Sequence, residues 1–177
     1  MCDIRVDTER LLLLPISYGC MRSLIDGTQT ELEKQGFLIC DDWISLEVLQ
    51  YLDIIRALMS KDTAPDGFFT WAVIERDSRV IIGDVGFKGH PNELGVIDIG
   101  YGIAACARGK GYATEAVTAL LAWAFSQPGA RRVSAECLDD NSASIHILKK
   151  MGMKEIVRDG STVFWEVKRD EFVNTSL

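Results

Sequence analysis

Residues 106–116 read CARGKGYATEA, two glycines and a lysine in a short polar loop ahead of an alanine-rich apolar run. A glycine loop that opens a helix aims unpaired amide N–H groups at one spot. The positive end of the helix dipole adds to them, and together they make an anion site. A second grouping lies just upstream, in VIDIGYG. Strand alternation puts Ile97, Ile99, Tyr101 and Ile103 on one face and Val96, Asp98, Gly100 and Gly102 on the other. The second face carries one carboxylate flanked by absent side chains, a small concave space suited to proton transfer.

The neighbours of the loop must say which anion it takes. A P-loop needs GxxxxGK followed by Ser or Thr, and GKGYA has neither the spacing nor the hydroxyl. A dinucleotide fingerprint needs GxGxxG, but Thr114 stands at the third position and the loop follows several strands instead of opening the chain. With His90 and His146 as the only histidines, neither a metal site nor a Cys/His nucleophile system is expected. The five cysteines are odd in number and lack CxxC spacing, so they read as free thiols in a reducing compartment.

Several elements must position these groups. RLLLLPIS (10–17) reads as a first strand, followed by a variable helical region and a helix over 45–60 with apolar groups at Leu46, Leu49, Ile54, Ala57 and Leu58. FTWAVIER and RVIIGDVGF read as a hairpin about a two-residue DS turn, and GVIDIGYGIA (95–104) as the next strand. A helix then runs from the glycine loop to about Gln127. RRVSAECL is a strand, and DDNSASIHILKKMG a helix capped at Asp140 or Asn141. MKEIVR, DG and STVFWEVK form a closing hairpin. The order β-α-α-β-β-β-α-β-α-β-β implies an α/β (α+β) mixed sheet with helices on both faces. The crossover between the strands at 95 and 131 makes that pair parallel.

The chain of 177 residues fits one domain, residues 1–177. A net charge of -7 argues against nucleic-acid binding, which depends on Lys and Arg displacing counterions. An acidic surface instead tolerates an amine-bearing partner. The longest apolar stretches fall short of the ~20 residues needed to span a bilayer, and there is no signal-peptide pattern, so a cytoplasmic protein is expected.

Arg-x-x-Gly-x-Ala, from Arg108 to Ala113 directly after IGYGIA, is a further pattern. It stands in order with VIIGDVGF before it and DDNSASIHILKKMGM after it. Through these motifs the chain resembles the GNAT family of acetyl-CoA-dependent N-acetyltransferases, and within it the RimJ/RimL-like branch. The resemblance covers about residues 9–168 and is strongest from Ala72 to Met153. It implies the GNAT fold and transfer of an acetyl group from acetyl-CoA to a primary amine by direct attack in a ternary complex. The acceptor would be a small-molecule amine or a protein N-terminus, and the branch allows a homodimer. A non-catalytic acyl-CoA-binding sensor is the alternative.

By the same resemblance, the backbone amides of Gly109, Gly111, Tyr112 and Ala113 would bind the coenzyme A pyrophosphate, with Arg108 and Lys110 adding charge. The pantetheine arm would pair with the backbone near Ile103, Ala104 and Ala105, and Asn141 would hold its far side. Amines of pKa ~8 to 10 are mostly protonated at neutral pH, so a base or a water chain must take a proton. Asp98 is the first choice for that base, with Glu136 in reserve or in an ion pair. Many family members carry a tyrosine acid where Leu148 stands here; Ser144, in Asn141-x-x-Ser144, is the hydroxyl offered instead to the leaving thiol. Trp43, Trp71 and Trp165 either line an acceptor pocket or belong to the core.

Overall fold

The computed structural model describes residues 4–40, 42–43 and 65–172. In chain order these give β1 (Val6–Asp7), β2 (Leu11–Pro15), α1 (Tyr18–Ile25), α2 (Glu31–Lys34), β3 (Leu38–Ile39), β4 (Thr70–Glu75), β5 (Val80–Phe87) and β6 (Val96–Ile103). A short 3₁₀ turn (Ala105–Ala107) follows, then α3 (Tyr112–Ser126), β7 (Arg132–Leu138), α4 (Ser142–Lys150), β8 (Lys154–Asp159) and β9 (Thr162–Lys168). The helix expected over 45–60 lies outside the described residues.

The nine strands form one mixed sheet in the order β1-β2-β4-β5-β6-β7-β9-β8, with β3 parallel to β5. The β6–β7 pair is parallel and α3 supplies the crossover, as the element order requires. β3 takes the edge of β5 at Val80 and Ile81, where β6 has ended at the Gly83↔Ile103 pair. Two-residue strands such as β1 and β3 carry no readable periodicity, which is why the sequence does not announce them.

Alternation on β4 shows how the layers are made. Trp71 and Val73 join the cluster beneath α3 that includes Ala116, Val117, Leu120, Leu121 and Ala124. Ala72 and Ile74 point the other way, into a second cluster with Cys20 and Met21 of α1, Leu32 of α2 and Trp43. Helices therefore cover both faces, and β4 is buried on both. Trp71 and Trp165 belong to the core, while Trp43 donates its indole N–H to Asp84 at 3.1 Å on the α1/α2 face. Among the described residues no helix is long and apolar enough to cross a membrane.

Local chemistry sets the boundaries. The Ser17 hydroxyl caps α1, and Thr30 with Glu33 forms a capping box on α2. Of the two expected caps for α4, Asn141 is the one used: its side chain accepts from Ser144 N at 3.1 Å. The two hairpin turns differ from the expected DS and DG. Residues 76–79 link β4 to β5, closed by Arg79 N–H donating to Glu75 C=O at 2.9 Å with Arg79 at φ 57°. In the second hairpin Asp159 pairs with Thr162, so the turn is Gly160–Ser161, one residue later.

Candidate active site

The β6–β7 ladder is short. Register partners run Val96↔Arg132, Ile97↔Val133 and Asp98↔Ser134, and then stop, although both strands continue. β5 stays paired with β6 as far as Gly83↔Ile103. Ala104 N donates to Ile82 O at 2.8 Å and Lys88 N to Asp98 O at 3.0 Å, so the even-numbered residues of β6 are the ones bonded toward β5. Alternation then turns the C=O of Ile99 and the N–H and C=O groups of Tyr101 and Ile103 toward β7, which has diverged. The result is a cleft between two strands with a line of backbone groups along one wall.

The expected contact residues at the end of that wall are partly engaged already. The Ile103 carbonyl accepts from Arg108 Nε at 2.9 Å, Ala104 C=O from Ala107 N at 2.9 Å, and Ala105 C=O from Arg108 N at 3.3 Å. Arg108 thus braces the backbone, and the Tyr101 backbone, absent from the sequence-based expectation, is part of the open wall. Strand parity around Asp98 was the signal that could have found it.

The glycine loop closes one end of the cleft. Gly109 and Gly111 sit at φ 75° and 83°, a region that side chains with a Cβ avoid, and Gly111 is the N-cap of α3. Among the described residues, the first N–H of this turn to find an acceptor is that of Glu115, which donates to Gly111 C=O at 3.1 Å. Among the described residues the N–H groups from Gly109 to Thr114 have no partner, and a Cβ on Gly109 would meet none of their atoms within 4 Å. Open space, free donors and the positive end of a 15-residue helix fit a phosphate-bearing ligand.

Asp98 occupies the other face of β6, exposed, with its carboxylate accepting the Ser134 hydroxyl directly across the ladder. A Cβ on neighbouring Gly100 would meet nothing within 4 Å, so the space beside the carboxylate is open. Ser134 was not foreseen, although the parallel pairing of Asp98 with residue 134 placed it there. Glu136 pairs with Lys88 Nζ at 2.7 Å. Ser144 lies in the first turn of α4, half-buried; its carbonyl accepts from Tyr101 Oη at 3.5 Å, and its side chain is also in hydrogen-bonding contact with the Tyr101 hydroxyl. Asn141 is at the same helix end, its oxygen occupied by the cap. Leu148 is buried in the core. Burial pushes the Tyr101 hydroxyl above its ordinary value, so it stays a proton donor at neutral pH.

The Acetyltransferase (GNAT) domain family matches residues 33–154, more than half of the chain. The chain belongs to the GNAT acetyltransferase family. It is 29% identical over 149 residues to the uncharacterized N-acetyltransferase YjdG of Bacillus subtilis, covering 84% of this chain and 89% of that one. Its fold is similar to that of a GNAT acetyltransferase from Bacillus anthracis, with a TM-score of 0.63 at 18% identity, covering 95% of this chain and all of the other (100%). A putative ribosomal-protein-serine acetyltransferase from Vibrio cholerae is also similar, with a TM-score of 0.62 at 22% identity over 94% of this chain and 98% of that one.

GNAT enzymes use acetyl-CoA as cosubstrate and act on amines, and the donor-lined loop and open strand edge suit such a group. Cysteine chemistry fits the GNAT route less well. Burial pushes the Cys20 thiol up to about 11, and burial also raises Cys137. Cys106 is raised chiefly by its hydrogen bond with Cys40, whose sulfur lies 2.9 Å away. These three are thiols at neutral pH, and a thiolate is the form that would accept an acetyl group.

The GNAT loop is braced from below by Glu115, which is 3% exposed. Its carboxylate accepts from Thr8 Oγ1 at 2.6 Å, Arg10 N at 2.9 Å and Arg10 Nε at 2.7 Å. Burial, the largest influence, pushes its pKa up, but these donors together outweigh it and hold the carboxyl below the ordinary carboxylate range. A depressed folded-state pKa contributes stability that is present above the unfolded value and lost as pH falls through the folded one. Glu115→Gln is therefore expected to melt below the parent at pH 7, with the gap narrowing on acidification below about pH 4.3. Melting curves from neutral to acid pH check this; a gap independent of pH would contradict it.

Proposed function

We propose that the chain transfers the acetyl group of acetyl-CoA to a primary amine by direct attack, with both substrates bound together. The observation that carries this reading is the parting of β6 and β7 just past Asp98, with the donor-rich loop at the far end of the same wall. Bound acetyl-CoA supplies the thioester carbon as electrophile and a thiol as leaving group. The N–H groups of Gly109, Gly111, Tyr112 and Ala113 hold the pyrophosphate, and the side chain of Lys110 adds charge at its rim. The β7-facing N–H and C=O groups of Tyr101 and the N–H of Ile103 pair with the amides of the pantetheine arm as a neighbouring strand would.

Asp98 takes the proton that the amine nitrogen sheds as it bonds to the acetyl carbon, and the Ser134 hydroxyl fixes the carboxylate for that task. The carbon–sulfur bond breaks and the sulfur gains a proton from Ser144 Oγ or from a water that it orients. Lys88 occupies Glu136, which leaves Asp98 as the carboxylate facing the open space. The acceptor is a small-molecule amine or a protein N-terminus, drawn to an acidic protein of net charge -7.

Incubating the full chain with acetyl-CoA and a panel of amines, including peptides with free N-termini, tests the proposal. Thiol release that requires an amine, with the acetylated amine seen by mass spectrometry, is the expected result. Coenzyme A binding without amine-dependent thiol release would describe a non-catalytic acyl-CoA-binding domain. Ser144→Ala is expected to lower kcat about tenfold while the Kd for coenzyme A stays within about twofold, because a group that acts only on the developing thiolate does not bind the ground state. Unchanged single-turnover rates would return Ser144 to the role of a first-turn residue.

A further inference from the structure

Arg10 is 100 residues from the loop in sequence and in direct contact with it in space. It stands just ahead of β2, where its own carbonyl accepts from Arg76 N at 3.0 Å and its own N–H donates to Glu115. The side chain makes three further contacts. Nε and Nη2 grip Glu115 Oε2 at 2.7 and 2.6 Å, Nη1 donates to Lys110 C=O at 2.9 Å, and the guanidinium lies over the Tyr112 ring, 4.7 Å from its centroid. Tyr112 is held in turn by its hydroxyl, which donates to Glu75.

We propose that Arg10 is a positioning residue that sets the aim of the coenzyme loop; this rests on the reading of the loop as the pyrophosphate cradle. A trans peptide is planar, with its C=O and N–H pointing opposite ways. The Lys110 carbonyl and the Gly111 N–H belong to one such peptide, and the chain has no cis bonds among the described residues. Holding that carbonyl inward therefore turns the Gly111 N–H outward, to the side on which the loop is open.

The same contact takes the Lys110 carbonyl away from Thr114 N–H, the partner it would meet if α3 were extended backward by one residue. That donor stays free for an anion. The guanidinium is a rigid fork, so once Nε and Nη2 are fixed on Glu115 the direction of Nη1 is fixed too. A lysine offers one point of charge and cannot hold Glu115 and Lys110 together.

The test uses the full chain with Arg10→Met and Arg10→Lys. The Kd for coenzyme A is measured by calorimetry, and that for pantetheine, which lacks the pyrophosphate, by ligand-observed NMR. Melting temperature is followed in parallel. Both variants are expected to lose about tenfold to a hundredfold in coenzyme A affinity, the consequence of a misaimed charge-assisted donor, with pantetheine affinity unchanged. If Arg10→Met does not fold, Arg10→Lys gives the same reading with the charge beside Glu115 kept. Equal losses for coenzyme A and pantetheine would reduce Arg10 to a support of the fold, and full affinity in Arg10→Lys would mean that its charge acts and its geometry does not; either overturns the proposal. Failure of the parent to bind coenzyme A is a separate result and overturns the cradle reading itself.

Discussion

Asp98→Asn lowers kcat/KM by about 10² to 10⁴ near neutral pH once an acceptor amine is identified, the usual contribution of a positioned general base. Asparagine keeps the shape, and its side-chain oxygen still accepts the Ser134 hydroxyl, so the loss reports the missing base rather than a disturbed strand. Raising the pH recovers part of the deficit, because more of the amine is then unprotonated before it binds. If the carboxylate works instead by attracting the ammonium form, the loss falls mainly on KM. A pH–rate profile parallel to the parent's with unchanged kcat would remove Asp98 from the mechanism. Glu136 could replace it only after giving up Lys88.

Gly111→Val weakens coenzyme A binding by about a hundredfold or more, and two independent costs produce it. The residue sits at φ 83°, where a β-branched side chain is strained, so the turn that presents the amides must relax. A Cβ at this position would also lie 3.4 Å from Arg10 Nη2, so the larger side chain presses on the group that holds the Lys110 peptide. Misaiming two charge-assisted N–H donors accounts for a loss of that size. Calorimetry with coenzyme A decides it: a folded variant with parental affinity would place the cradle elsewhere. Gly111→Ala, with the same φ problem and less bulk, is expected to fall between the two.

Local grammar made the loop legible. Glycine at positive φ, an apolar helical face and Asn141 as a cap are signals carried by neighbouring residues, and α3 and α4 begin where those signals put them. Strand alternation likewise put Asp98, Gly100 and Gly102 on one face, which the buried Ile97 and Ile99 mirror on the other. What stayed hidden depends on distance or on unusual backbone. Nothing near Arg10 announces Glu115, because their contact spans 105 residues and is made by the fold. The turn at Arg76–Arg79 departs from a two-residue hairpin because an arginine takes the left-handed region there, held by its N–H to Glu75, and residue type gives no warning of that. Arg108, expected through the resemblance to add charge at the loop, also sets its Nε on the Ile103 carbonyl, a contact that residue type does not announce. Ser134 was within reach, since register alone sets it opposite Asp98.

The central claim is that the loop and the parted strands form one coenzyme site. Backbone amide NMR of the uniformly labelled full chain, titrated with coenzyme A, tests it most directly. The account predicts that the largest shift changes fall on Gly109 to Thr114 and on the amides of Tyr101 and Ile103, with those of Glu93 and Leu94, ahead of β6 at the opposite end of that strand, unmoved. Changes gathered elsewhere, with the Gly109–Thr114 amides unmoved at saturation, would contradict it.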